Sequence, residues 1–148
     1  MRSLLDINLI IALLDSAHVF HRSAQTWLEK EIQNGWATCP ITENGVIRIM
    51  SQNAYPNSQP PSKIAERLAE ACQHPTHEFW PETISLVKDG VIRWQYLLGP
   101  RQITDAYLLA IAVVNQGKFV SFEQHINLSV VSGATPANLQ VVQPSYSL

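Results

Sequence analysis

The chain has 148 residues, 46% of them hydrophobic and 15% charged, with nine prolines, six glycines and a formal net charge of −2. A chain of that size buries roughly two-thirds of the surface it exposes when unfolded, so a single domain over residues 1–148 needs neither disulfides nor a structural metal. Ten Lys and Arg against twelve Asp and Glu argue against a protein that grips nucleic acid chiefly by counterion release, though not against an enzyme that acts on it.

Arg2 to Leu5 reads as a short strand, followed by a helix from Asn8 to Leu14 that Asn8 is placed to cap. Asp6 interrupts the apolar start before a signal peptide can form. The longest apolar run, Leu9 to Leu14, falls far short of the roughly 18 residues of a membrane span, so a cytosolic protein is expected. Val19, Phe20, Ala24, Trp27, Leu28 and Ile32 recur at helical spacing, and Asn34-Gly35 closes that second helix. Trp36 to Cys39 forms a second strand, ended by Pro40. Thr42-Glu43 opens a third helix through Met50, which gives way to a proline-rich loop, Ser51 to Ser62, too short to separate domains.

Ser62 is placed to cap a fourth helix that carries Ile64, Leu68 and Cys72 inward, and His77 to Trp80 is the third strand. Ile84 to Leu98 fits either broken helices or a short strand. Thr104 is placed to cap a helix running to Val114, with Gly117 beyond its end. Lys118 to Phe122 and Leu139 to Val142 complete the strands. Strands alternating with helices predict an α/β fold: a mostly parallel sheet flanked by helices on both faces.

Ligands of such a sheet collect beyond the carboxyl ends of its strands. Acids stand there: Asp6 after the first strand, Glu43 beyond the second, Asp105 in the first turn of a helix, and Glu123 after the strand ending at Phe122. A first-turn acid is favoured by the helix dipole alone. Asp6, however, is hemmed by Leu4, Leu5, Ile7, Leu9 and Ile10, where an unpaired charge is costly. Acids brought together raise one another's proton affinity unless a cation shares the site, and an all-oxygen donor set suits Mg²⁺ or Mn²⁺ better than zinc. Such an ion can bind a phosphate oxygen and lower the pKa of a water aligned for in-line attack, which is nuclease chemistry.

Arg101, four residues before Asp105, and Arg48, one turn beyond Glu43, are candidate phosphate contacts, though each equally suits a surface ion pair. His18 and His21 suit an exposed first-turn pair better than a ligand site, and Cys39 and Cys72 suit buried thiols. Trp27, Trp36, Trp80 and Trp94 are expected in the core. No glycine-rich phosphate loop is present, which argues against a nucleotide cofactor.

Leu4-Leu5-Asp6-Ile7-Asn8, Thr42-Glu43-Asn44-Gly45, Ile103-Thr104-Asp105-Ala106-Tyr107 and Phe119-Val120-Ser121-Phe122-Glu123, in that order and spacing, resemble the motifs of PIN-domain ribonucleases. The likeness is to the VapC toxins of bacterial toxin–antitoxin pairs. The resemblance implies a Mg²⁺-dependent endoribonuclease that cuts RNA, is silenced by a cognate antitoxin inserted into its groove, and forms a homodimer. It implies Asp6 and Asp105 as principal metal ligands, Glu43 completing the acidic pocket, Glu123 on a metal or its water, and Asn8 and Thr104 orienting the carboxylates. Glu123 departs from the family's usual Asp. Two other readings compete: a PIN-fold protein that binds its partner without cleaving, and an aspartyl-phosphate phosphatase or receiver domain, which needs a Lys beside the phosphate.

Overall fold

Leu4 and Leu5 are neighbours in sequence yet belong to different cores, because successive side chains of a strand point to opposite faces. The same split separates Ala37 from Trp36 and Phe119 from Val120. Apolar residues at consecutive positions are what a parallel strand covered on both sides requires. The strands are β1 (Ser3–Leu5), β2 (Trp36–Thr38), β3 (His77–Phe79), β4 (Lys118–Ser121) and β5 (Leu139–Val141). They form one sheet in the order β3-β2-β1-β4-β5, with every neighbouring pair parallel. This is the arrangement in a computed structural model, which describes residues 1–144.

Helices α1 (Ile7–Leu14), α2 (His21–Glu31), α3 (Pro40–Met50) and α4 (Pro61–Ala71) bury Leu9, Trp27, Val46, Ile64 and Leu68 against the Leu5, Trp36 and Val120 face. Helix α5 (Ile103–Val114) covers the other face, where Leu108, Leu109 and Ile111 pack with Leu4 and Phe119. Two glycines permit close approaches. A Cβ at Gly45 would lie 2.4 Å from Ile7 Cδ1, and one at Gly117 would lie 2.6 Å from the Arg2 carbonyl oxygen.

Four helix starts differ from expectation. Asp6, not Asn8, caps α1, with its carboxylate accepting from the Ile7 N–H at 2.7 Å. Helix α3 starts at Pro40 and α4 at Pro61, so Thr42 and Ser62 lie inside their helices. Proline favours the first helical position, and it holds the residue before it extended. A 3₁₀ turn, Pro100–Gln102, leads directly into α5 and leaves Thr104 as the second residue of that helix rather than its cap. The segment from Ile84 to Leu98 forms neither broken α-helices nor a strand. It makes a single antiparallel bridge, Ile92 to Val131, and a 3₁₀ turn, Trp94–Tyr96. Among the described residues no helix is long and apolar enough to cross a membrane.

From β1 the chain moves outward to β2 and β3, then returns to β4 on the other side of β1. The carboxyl ends of β1 and β4 therefore flank the point where the winding reverses, the usual place for a ligand crevice in such sheets.

Candidate active site

Parallel pairing of Leu5 with Val120 fixes the first contact of the site, because it sets the next residues, Asp6 and Ser121, side by side. The Asp6 N–H donates to the Val120 carbonyl at 2.9 Å, and the Ser121 hydroxyl donates to Asp6 Oδ2 at 2.6 Å. Ser121 Oγ also accepts from the Glu123 N–H at 3.0 Å. One buried hydroxyl thus ties both acids to the end of β4. Asp6 is only 8% exposed, and its two oxygens are engaged by Ser121 and by the Ile7 N–H.

Asp105 enters from the first turn of α5. Together with Asp6, Asn8, Arg101, Thr104, Ser121 and Glu123 it lines an open pocket of about 410 Å³. Burial pushes the Asp105 carboxyl up to about 7, with the charges of Asp6 and Glu123 adding to the effect. Burial likewise raises Asp6, aided by the Glu123 charge and opposed by the Ser121 and Ile7 hydrogen bonds. The acids oppose one another's ionisation, and a cation would relieve that opposition.

The donor set fits a hard cation of the Mg²⁺ type. All the side-chain donors in the pocket apart from those of Arg101 and Asn8 are oxygen groups. Among the described residues no three His, Cys, Asp or Glu side chains converge closely enough to cage an ion by themselves. Mg²⁺ asks for no such cage: it keeps several waters and takes one or two carboxylates with substrate phosphates.

Glu43 does not complete this pocket, contrary to expectation. Its Oε2 accepts from the Thr38 hydroxyl at 2.7 Å, at the end of β2, and the Thr38 oxygen lies 2.9 Å from His77 Nε2. Arg48 is also outside; it lines an adjoining depression that shares Ile7 and Thr104 with the acidic pocket. His18 and His21 serve local backbone, at the Phe20 N–H and the Ala12 carbonyl. Lys118 begins β4, away from the acids, and pairs with Glu31 at 3.6 Å, so it is not the lysine that aspartyl-phosphate chemistry needs. Of the four tryptophans expected in the core, Trp94 is 48% exposed.

Ser121 is a pocket residue that the acid pattern of the sequence does not single out. The signal was available: parallel register at the β1/β4 junction places it opposite Asp6.

The family model described as PIN domain matches residues 3–128. The chain belongs to the PIN domain family. The match spans every acid of the pocket, from Asp6 to Glu123, and stops before β5. The chain is 46% identical over 139 residues to Ribonuclease VapC44 of Mycobacterium tuberculosis (strain CDC 1551 / Oshkosh), covering 94% of this chain and 98% of that protein. It is 35% identical over 134 residues to Ribonuclease VapC39 of the same strain, covering 90% and 96%. Ribonuclease VapC38 of strain H37Rv is 32% identical over 142 residues, covering 95% and 99%. This PIN domain therefore matches those proteins over nearly their full lengths.

Proposed function

We propose that the chain is a Mg²⁺-dependent endoribonuclease of the VapC type, with Mn²⁺ as a substitute ion, acting on RNA in the cytosol as the toxin of a toxin–antitoxin pair. The observation that carries this reading is the meeting of Asp6, Asp105 and Glu123 around one pocket, with Asp6 and Asp105 both raised in proton affinity. Near-full-length similarity to proteins named as ribonucleases supports the substrate class. That naming also supports a cognate antitoxin seated in the groove, and a homodimer is expected with it.

Asp6 and Asp105 would hold the ion, with Glu123 contacting it or a water on it. The ion would draw charge from a phosphate oxygen and lower the pKa of a water beside it. Ser121 holds Asp6 in place through Oδ2, and Asn8 and Thr104, which line the same pocket, would orient the groups around the carboxylates. Arg101, on the same wall as Asp105, would fork onto an RNA phosphate and offset the repulsion between acids and backbone. Glu43, held by Thr38, acts from outside the direct ligand set.

The test is incubation of purified, partner-free protein with structured RNAs, with and without Mg²⁺, beside Asp6→Asn and Asp105→Asn. Cleavage by the wild type alone, and only with the divalent ion, is the expected result. RNA left intact by the wild type at every divalent concentration would hand the case to a PIN-fold protein that binds without cutting.

A further inference from the structure

Beside the acidic pocket lies a second, smaller one of about 200 Å³, below the roughly 300–1,000 Å³ typical of pockets for drug-sized ligands. The two share Arg101, Asp105 and Glu123, so whatever occupies one is contiguous with the other. Leu97, Ala106, Ile126 and Val130 give the smaller pocket apolar walls, and Gln102, His125 and Asn127 give it polar edges.

The two amides are oriented by the backbone. Gln102 Oε1 accepts from the Leu98 N–H at 2.9 Å, and Asn127 Oδ1 accepts from the Ser129 N–H at 2.9 Å. Each bond decides which end of the amide is oxygen, and leaves the NH₂ end as a donor. Apolar walls edged by amide donors suit a neutral heterocycle that carries acceptor atoms. Of the three residues on the shared wall, Arg101 serves the phosphate of the acidic pocket, and Asp105 and Glu123 disfavour a second phosphate on this side.

We propose that this pocket receives a nucleobase of the RNA, that of a nucleotide adjoining the phosphate held at Asp6 and Asp105, with the Gln102 and Asn127 amides donating to its acceptor atoms. The proposal rests on the ribonuclease reading and names how that site grips its substrate. The 3₁₀ turn carrying Trp94 and Tyr96, 48% and 47% exposed, is anchored here by the Arg93 N–H donating to the Val130 carbonyl at 2.7 Å. Exposed aromatic rings of this kind stack further bases of a single strand.

The experiment is a two-dimensional NMR titration without divalent ions, using adenosine, guanosine, cytidine and uridine, with ribose and ribose 5-phosphate as controls. Nucleosides are uncharged, so neither a metal nor Arg101 is needed to bind them. At least one nucleoside is expected to shift the backbone amides of Ala106, Asn127 and Val130, while the two controls leave them in place. Gln102→Glu and Asn127→Asp keep the acceptors for the Leu98 and Ser129 N–H groups but remove the NH₂ donors. Each is expected to weaken nucleoside binding about fivefold, the loss of one hydrogen bond. Pocket amides that ignore all four nucleosides, or that answer equally to ribose 5-phosphate, overturn the proposal. So do variants that bind as the wild type does. The titration involves no cleavage, so its failure leaves the ribonuclease reading standing, and a failed cleavage assay leaves the titration readable.

Discussion

Replacing Asp105 by Asn removes a carboxyl group that the fold makes reluctant to ionise. Burial first, then the charges of Asp6 and Glu123, raise its pKa from 3.8 to about 7. A group whose pKa rises on folding contributes stability that is full below 3.8 and lost as the pH climbs through about 7. A rise of about three units corresponds to roughly 4 kcal/mol without screening, and the partial water contact of Asp105 reduces this to about 1–2 kcal/mol. In EDTA, Asp105→Asn is therefore expected to gain about 1–2 kcal/mol over the wild type between about pH 4.5 and pH 8. Urea unfolding at the two pH values measures it. Millimolar Mg²⁺ should then stabilise the wild type at the higher pH and leave the variant unmoved, since an ion that binds only the folded chain adds to its stability. A variant whose stability relative to the wild type is the same at both pH values would refute the claim that Asp105 is strained by its charge.

Ser121→Ala removes the donor to Asp6 Oδ2 and the acceptor for the Glu123 N–H, and RNA cleavage should fall by about tenfold or more, as for other groups that orient metal ligands. Unchanged cleavage in a normally folded variant would make Ser121 a bystander. Glu123→Gln takes away a charge that raises Asp105, so a carboxyl ¹³C titration should place Asp105 lower than in the wild type; an unmoved midpoint would show that the two do not interact. Gly117→Ala sets a Cβ 2.6 Å from both the Arg2 carbonyl oxygen and Trp80 Cη2, and thermal unfolding should report a loss of about 1–3 kcal/mol. A melting curve identical to the wild type would mean that the β1/β4 junction has slack there.

The central strands were legible because β1 and β4 carry consecutive apolar residues, Leu4-Leu5 and Phe119-Val120, and an acid follows each strand end, Asp6 directly after β1 and Glu123 two residues after β4. Asp6, Asp105 and Glu123 followed from topology, since parallel strands bring their carboxyl ends to one edge. What could not be read was the direction of side chains. Glu43 sits beyond the carboxyl end of β2 as expected, but a hydroxyl on the preceding strand binds its carboxylate, and that hydroxyl's partner, His77, lies far along the chain. Helices α3 and α4 start at Pro40 and Pro61 rather than at the Thr42 and Ser62 expected to open them, because proline is pre-organised for the first helical position, while at α1 the carboxylate of Asp6 takes the cap expected of Asn8. The Ile84 to Leu98 segment has no period because it takes its shape from the α5 face it lies on. Ile84, Leu86, Val91 and Leu97 are half-buried there while Val87 and Leu98 stay exposed.

Crystals soaked in Mn²⁺ and measured for anomalous scattering test the shared cation most directly. The account predicts one Mn²⁺ peak in the acidic pocket, at about 2.1 Å from carboxylate oxygens of both Asp6 and Asp105. A pocket without a peak at saturating Mn²⁺, or a peak that touches only one of the two, would contradict it.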